Sequence, residues 1–283
     1  MDLADWRAKA ERFEFQGLSI AFWRGGTGRP LLLVHGFPTS AWDWEAIWET
    51  LGQTHSLVAC DMIGFGLSDK PPGGYSIHRQ TDLQEALLAH LGIAEYDALV
   101  HDYGVSVGQE MLARQAEGSG AAGLQQMVFL NGGIFPSQHR PRPLQKLGVS
   151  PLGFLVGWLM NRKRFGAGFA EVFGPDTQPS EAELDDFWSL ISDQDGHRKF
   201  HKLLHYMTDR QKHEARWVGA LAHAESRIGL INGALDPVSG KHAFDEWRRV
   251  VPNARSHLLP GVGHYPQVEA PAEVAAKTLE WLG

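Results

Sequence analysis

The sequence predicts an α/β fold, in which a mainly parallel β-sheet carries helices on both faces and a helical lid is inserted between two strands. Short apolar runs alternate with longer helical patterns, as in parallel strands joined by crossover helices. The alternation stops from about Ile134 to about Ala222, where the chain is helical in character and rich in Trp, Phe and His. We therefore predict a core at 1–133 and 223–283 and a lid at 134–222, above the strand ends where open α/β sheets bind ligands.

The individual elements follow from the same patterns. Apolar runs predict the strands of the parallel sheet, at 30–36, 55–61, 96–102, 124–132, 226–234 and 255–261. Helical periodicity predicts the main core helices, at 78–91, 104–116, 240–250 and 271–282. Two N-terminal runs, at 12–17 and 18–25, predict an antiparallel hairpin at one edge of the sheet.

Composition narrows the class of protein. A formal charge of −7 over 283 residues, with both signs interspersed, argues against a nucleic-acid surface. Cys60 is the sole cysteine, so no internal disulfide can form and a reducing compartment, the cytoplasm, is predicted. The charged first residues lack a secretion signal. No cofactor is predicted, and a homodimer is left open.

The longest nearly apolar stretch, 147–160, is too short to span a bilayer and contains Pro151. An integral membrane segment is therefore not predicted. We interpret the stretch as a buried part of the lid, with a membrane-docking surface as the alternative.

Residues 100–110, VHDYGVSVGQE, contain two candidate nucleophiles. Ser106 lies in a G-x-S-x-G pattern typical of serine hydrolases, and Asp102 lies four residues before it. In hydrolases that are built on a parallel α/β sheet, the nucleophile occupies a sharp strand-to-helix turn. The apolar run ends at Val100, which places Asp102 at the turn and Ser106 inside the following helix. The reverse assignment would bury an unpaired carboxylate in a strand, at a high cost in free energy.

Several stretches carry a resemblance to a known family: GFGLSDKPPGGYSI, HDYG, NGGIFPSQHRP, VFGPDTQPSEAEL, RWVGALA, LDPV and GHYPQVE. Together they resemble the aspartate-nucleophile branch of the α/β-hydrolase superfamily, which holds the epoxide hydrolases and haloalkane dehalogenases. Within it, they most resemble the mesoderm-specific transcript homologues. The resemblance covers nearly the whole chain and implies an α/β-hydrolase fold with a lid and Asp102 as nucleophile.

The resemblance also implies the other catalytic parts. Asp236, in LDPV, is the expected acid, and His264, in GHYPQVE, is the expected base that it orients. The order nucleophile, acid, base is that of the fold. The N–H groups of Phe37, in HGFP, and of Tyr103 are the expected oxyanion hole.

The expected substrate site combines this loop with the lid. His35 and Pro38 of HGFP, with Trp158 and Trp217 of the lid, are the predicted substrate-binding residues. His197, His201 and His205 recur every four residues, but on a helix the outer two would lie ~12 Å apart. We therefore predict no metal site.

The leaving-group site distinguishes the chemistries within the branch. Haloalkane dehalogenases hold the halide with a Trp after the nucleophile and an Asn or second Trp, where this chain has Tyr103 and Phe37. Epoxide hydrolases protonate the opening oxygen with two lid tyrosines. Tyr206 stands at about the place of the second, and the first is missing, which leaves His139 or Tyr103 as substitute donors.

These features predict an enzyme that opens small apolar epoxides to vicinal diols through an ester on Asp102, which water activated by His264 and Asp236 then hydrolyses. The alternatives are a haloalkane dehalogenase that uses the same ester, a serine esterase that uses Ser106, and a non-enzymatic ligand-binding receptor.

Overall fold

The computed structural model describes residues 1–121, 123–138, 140, 147–150 and 152–283. Its centre is an eight-stranded sheet in the order β1-β2-β4-β3-β5-β6-β7-β8. The strands are β1 Glu11–Phe15, β2 Leu18–Gly25, β3 Arg29–Val34, β4 His55–Cys60, β5 Glu95–Val100, β6 Gly123–Phe129, β7 Ile228–Gly233 and β8 Arg255–Leu259.

The sheet is antiparallel only at the edge that the N-terminal hairpin forms. β1 pairs with β2 and β2 with β4 in antiparallel register, and the pairs from β4 through β8 are parallel. The carboxyl ends of β3, β5, β6, β7 and β8 therefore lie at one edge of the sheet, where the loops that follow them can form a common site.

Helices cover both faces of the sheet. The core helices are α1 Leu3–Ala8, α2 Glu45–Gly52, α3 Ile77–His90, α4 Tyr103–Ala116, α10 Lys241–Val250, α11 Pro266–Glu269 and α12 Pro271–Leu282. Between β6 and β7 the described chain forms α5 Phe154–Leu159, α6 Arg162–Ala170, α7 Glu181–Ile191, α8 Phe200–Leu203 and α9 Tyr206–His223. These helices occupy the region predicted to be the lid, whose boundaries remain a prediction.

The central strands are buried on both faces, as their continuous apolar runs require. Leu31 and Leu33 of β3 pack in one core cluster, and Leu32 and Val34 pack in the other, because successive side chains of a strand point to opposite faces. The prediction of a mainly parallel sheet with helices on both faces is confirmed. Predicted strand ends run up to three residues past the observed ones, because the residues that follow turn away to form the site.

The prediction that the stretch 147–160 is buried is wrong for most of its described apolar side chains. Val156 is buried, but Leu152, Phe154 and Trp158 are exposed, Trp158 by 68%. Helix α5 is short, so only one side of it packs inward, and the pattern of a uniformly apolar run does not indicate which. No helix in the described ranges is both long and apolar enough to cross a membrane.

Candidate active site

The turn between β5 and α4 carries Asp102. β5 ends at Val100 and α4 begins at Tyr103, and Asp102 between them has φ 45° and ψ −102°. Such a left-handed conformation is strained for a residue other than glycine, and strained residues persist only where their surroundings hold them. Here the Asp102 N–H donates to the Asn131 carbonyl oxygen at 2.8 Å.

Glycines allow the chain to pack tightly around this turn. A Cβ on Gly104 would lie 2.3 Å from the carbonyl oxygen of Val34, and one on Gly36 would lie 2.8 Å from the Asp102 Cβ. A Cβ on Gly132 would lie 2.6 Å from Val105 Cγ2. Three loops can therefore converge on Asp102 only because these positions lack side chains.

Ser106 lies inside α4 and is completely buried. Its hydroxyl oxygen accepts a hydrogen bond from Arg210 Nε at 2.6 Å. The imidazole of His264 instead faces Asp102, with Nε2 3.4 Å from Oδ2. The G-x-S-x-G pattern of this chain therefore places its serine in the interior of a helix, away from the strand-to-helix turn.

The structure brings Asp102, His264 and Asp236 together. His264 Nδ1 lies 2.7 Å from Asp236 Oδ2, so the imidazole stands between the two carboxylates. Asp236 follows β7, and His264 lies in the loop between β8 and α11. This arrangement fixes the ring with one nitrogen bound to Asp236 and the other facing the nucleophile position.

Asp236 is itself held by three donors. Asn131 Nδ2 and Ser239 Oγ donate to its Oδ2 at 2.9 and 2.6 Å, and the Val238 N–H donates to Oδ1 at 2.7 Å. Burial alone would raise the pKa of Asp236, but His264 and these hydrogen bonds outweigh burial and lower it to about 2. Asp236 is therefore a carboxylate under ordinary conditions.

The charges of the three groups are coupled. Burial opposes charge on His264, but Asp236 and Asp102 outweigh burial and raise its pKa to about 10. Burial likewise opposes charge on Asp102, but His264 and then Arg210 hold the pKa of this carboxyl well below its usual range. The resting site therefore holds an imidazolium between two carboxylates.

The predicted oxyanion-hole residues flank Asp102. The Phe37 N–H donates to Asp102 Oδ1 at 2.8 Å, and the Phe37–Pro38 peptide bond is cis. Tyr103 is the first residue of α4, where the backbone N–H has no partner within the helix. Both N–H groups thus belong to backbone next to the carboxylate, as an oxyanion hole requires.

Sequence reasoning missed the side chains that hold the His264 loop. His101 Nε2 lies 2.8 Å from the His264 carbonyl oxygen, and Glu269 accepts hydrogen bonds from the N–H groups of Gly263 and Tyr265 at 2.8 and 2.9 Å. His101 precedes the nucleophile position in HDYG, and Glu269 ends the stretch GHYPQVE. Their closeness to those motifs was the available signal.

A cavity of ≈ 340 Å³ is lined by both Asp102 and His264. Pro38 and Phe37 form part of its wall, and most of the remaining wall is apolar, including Phe169 of α6. The carboxylate thus faces a mainly apolar space in which a small apolar molecule would be shielded from water.

Three residues predicted to bind substrate do not line this cavity, and those assignments are corrected. His35 is buried beneath the loop, where its Nε2 accepts from the Met62 N–H at 3.0 Å. Trp217 packs toward α4 and donates to Glu110 Oε2 at 2.7 Å. Trp158 is exposed. They were predicted from their place in the HGFP motif and in the aromatic-rich segment between β6 and β7, and neither feature indicates which side chains face the cavity.

Tyr206 is buried next to the site. Its ring centroid lies 4.7 Å from that of Tyr103 and 6.4 Å from that of Phe37, and it is not itself among the residues of the cavity wall. Its hydroxyl has no hydrogen-bond partner in the described structure. His139 lies outside the described residues. His197, His201 and His205 form no metal-binding cluster within the described ranges.

Comparison with known proteins shows the family and the fold of this chain. A family model described as the alpha/beta hydrolase family matches residues 31–277. The mesoderm-specific transcript homolog protein of Bos taurus is 43% identical over 282 residues, which cover 95% of this chain and 84% of that protein. The chain therefore belongs to the α/β hydrolase family.

Two solved structures show the same fold at low sequence identity. The haloalkane dehalogenase DbeA from Bradyrhizobium elkani USDA94 has a TM-score of 0.82 at 20% identity, covering 96% of this chain and 97% of that chain. The epoxide hydrolase CorEH has a TM-score of 0.76 at 20% identity, covering 96% of this chain and 98% of that chain. These two structures thus share the fold of this chain, and the family match over residues 31–277 makes the chain a hydrolase of that fold.

Proposed function

We propose that this hydrolase opens small apolar epoxides to vicinal diols through a covalent ester on Asp102. One observation carries the proposal: Asp102 lies at a strained strand-to-helix turn, with Oδ1 bound to the Phe37 N–H and Oδ2 facing His264, in the wall of a mainly apolar cavity. A carboxylate in this position can attack a saturated carbon without a base to activate it.

In the first step, a carboxylate oxygen of Asp102 attacks an epoxide carbon and the ring carbon–oxygen bond breaks. The electron pair of that bond stays on the oxygen, which must take up a proton. We assign Tyr206 as the donor, because its ring packs toward Phe37 of the cavity wall and the adjacent guanidinium of Arg210 favours the phenolate that forms when its hydroxyl gives up a proton.

In the second step, water attacks the ester carbonyl. Alkylation removes the negative charge of Asp102, which is one of the groups that raise the pKa of His264. The imidazolium therefore gives up its proton, which restores the Tyr206 hydroxyl. Neutral His264 can then accept a proton from the attacking water, and Asp236 holds the imidazolium that forms.

The N–H groups of Phe37 and Tyr103 bind the oxyanion of the tetrahedral intermediate. When this intermediate collapses, the bond between the acyl carbon and the substrate oxygen breaks, and the diol leaves with the proton that His264 took from water. The carboxyl group of Asp102 then loses its proton to His264, which restores the resting ion pair.

Two other chemistries fit these residues less well. A dehalogenase needs donors for the departing halide, but the Phe37 side chain has none and the Tyr103 ring packs against Tyr206. A serine esterase needs a hydroxyl next to the base, but the Ser106 hydroxyl is bound by Arg210 inside α4. A receptor without turnover would have no use for the imidazolium held between two carboxylates.

The test is intact-protein mass spectrometry of the His264→Gln variant mixed with styrene oxide or with a bromoalkane. Without the base, the ester should accumulate, and an adduct of the whole epoxide mass that maps to Asp102 supports the proposal. An adduct of the alkyl group with release of bromide, and none from the epoxide, would indicate a dehalogenase.

Two variants serve as controls. Asp102→Asn in the same background should abolish the adduct, and Ser106→Ala should leave it attached to Asp102. If neither reagent gives an adduct while the wild type hydrolyses simple esters in a manner that Ser106→Ala abolishes, the proposal is wrong and the serine esterase is favoured.

A further inference from the structure

Arg210 is a buried cation directly beside the nucleophile turn. It lies in α9 and is 2% exposed. Its Nη2 donates to the Asp102 carbonyl oxygen at 2.9 Å, and its Nε donates to Ser106 Oγ at 2.6 Å. The guanidinium carbon lies 4.4 Å from the ring centroid of Tyr206. One lid side chain thus contacts the backbone of the turn, the first turns of α4 and the ring of Tyr206.

The charge of Arg210 has no carboxylate ion-pair partner among the described residues. By contrast, Arg216 of the same helix forms ion pairs with Glu110 and Glu117. The charge that compensates the buried cation of Arg210 is instead the nearby carboxylate of Asp102, whose pKa Arg210 helps to lower, so the charge of Arg210 acts on the nucleophile turn. The guanidinium also needs the room that a glycine leaves at position 133, because a Cβ on Gly133 would lie 2.2 Å from Arg210 Nη1.

The contact with the Asp102 carbonyl oxygen bears on the oxyanion hole. That oxygen and the Tyr103 N–H belong to one planar peptide unit, in which C=O and N–H point in opposite directions when the bond is trans. A group that fixes the carbonyl therefore fixes the direction of the N–H. A cation at the oxygen also draws electron density from the amide, which makes the N–H a stronger donor.

We propose that Arg210 is a positioning residue that orients and strengthens the Tyr103 N–H of the oxyanion hole by binding the Asp102 carbonyl oxygen, with Ser106 as the anchor for its guanidinium. Ser106 thereby has a role that does not require it to be a nucleophile. The inference rests on the proposed function, because it assigns the Tyr103 N–H to the oxyanion that forms during ester hydrolysis.

The inference predicts which step is affected. The oxyanion forms when water attacks the ester, so Arg210→Met should slow ester hydrolysis. Loss of an oxyanion-hole donor costs roughly 10²–10³ in kcat, and a donor that is only weakened and misdirected should cost about tenfold. Steady-state mass spectra of Arg210→Met with His264 intact, turning over styrene oxide, should therefore show accumulated ester on Asp102.

Three further variants separate positioning from a general structural role. Arg216→Met removes an arginine that also ties α9 to α4, and it should lower stability without causing ester to accumulate. Arg210→Lys keeps the charge but cannot bridge two oxygens as the guanidinium fork does, so its loss of rate should be smaller than that of Arg210→Met. Ser106→Ala removes the anchor of the guanidinium, so it should slow ester hydrolysis about as much as Arg210→Lys does. It replaces Arg210→Met in the test if that variant does not fold.

A direct readout requires no reaction. The chain has 5 tyrosines, so labelling with [¹⁵N]tyrosine gives a simple spectrum in which Tyr103→Phe identifies the Tyr103 amide. Its ¹⁵N resonance should move upfield in Arg210→Met and stay in place in Arg216→Met. An unchanged Tyr103 signal in Arg210→Met, with no more ester than in Arg216→Met, would overturn the inference. If His264→Gln forms no adduct, the proposed function fails, and the Tyr103 signal still decides whether Arg210 acts on this amide.

Discussion

His264 and Asp102 face each other across 3.4 Å, from Nε2 to Oδ2, while the other nitrogen of the imidazole is bound to Asp236. The two carboxylates share one imidazolium, so the pKa of His264 depends on whether Asp102 carries its charge. This relationship lets the resting site hold an ion pair, and it lets the alkylated site hold a neutral imidazole that can accept a proton from water.

The first prediction concerns the pKa of His264. Asp102→Asn removes the charge and the hydrogen-bond acceptor on one side of the ring, so the pKa of His264 should fall below its value of about 10 by at least about one unit. Titration of the imidazole by NMR measures the shift directly. An unchanged pKa would mean that Asp236 alone determines the charge of His264.

The second prediction concerns stability at alkaline pH. Because the pKa of His264 is raised from 6.5 to about 10 on folding, its contribution to stability is fully present below pH 6.5 and is lost as the pH rises through about 10. The free energy of unfolding of the wild type should therefore fall over this range more steeply than that of His264→Gln. Urea unfolding at several pH values measures both, and parallel curves would contradict the prediction.

Much of the site could be predicted because its parts stand at the ends of strands. The apolar run that ends at Val100 places Asp102 at the turn, and the polar residues after β7 and β8 are Asp236 and His264. The family resemblance indicated Asp236 and His264 as the acid and the base, and their places after two strands supported this, because the carboxyl ends of parallel strands meet at one edge.

The rest depends on contacts between distant parts of the chain. Arg210 lies 108 positions after the carbonyl that it binds, and Asn131 lies 105 positions before the carboxylate that it holds. No local pattern encodes such pairs. Trp158 and Trp217 illustrate the same limit, because helical periodicity shows that a helix has an apolar side but not whether that side meets the cavity, the core or solvent.

The third prediction concerns Asn131, which donates to Asp236 and accepts from the Gly233 N–H. Asn131→Asp places a second buried carboxylate beside Asp236, which should raise the pKa of Asp236 and lower stability by about 3 kcal/mol or more. Asn232→Asp is the matched control. Asn232 lies in β7 and is buried like Asn131, but its side chain donates to the Gly233 carbonyl oxygen and not to a carboxylate.

Both substitutions should destabilise the fold, but only Asn131→Asp should affect the orientation of His264. Ester hydrolysis per folded molecule should therefore fall in Asn131→Asp and remain near that of the wild type in Asn232→Asp. Urea unfolding gives the stability of each variant, and single-turnover decay of the ester gives the rate. Equal decay rates in the two variants would show that Asn131 does not position Asp236.

The fourth prediction concerns the glycine that allows the nucleophile turn to pack against β3. In Gly104→Ala the new Cβ would lie 2.3 Å from the Val34 carbonyl oxygen and 2.8 Å from that of His35. Because both obstacles are backbone atoms, the turn must shift, which should destabilise the protein by several kcal/mol and abolish alkylation of Asp102.

Gly219 supplies the control for this substitution. It is also helical, in α9, but nothing lies within 4 Å of a Cβ built on it. Gly219→Ala should therefore stabilise the protein by up to about 1 kcal/mol, because alanine is the better helix former, and should leave alkylation unchanged. Thermal unfolding and adduct formation in the His264→Gln background measure the two effects. Normal alkylation in Gly104→Ala would show that the turn tolerates a shift of its backbone, and that the strained conformation of Asp102 is not required for attack.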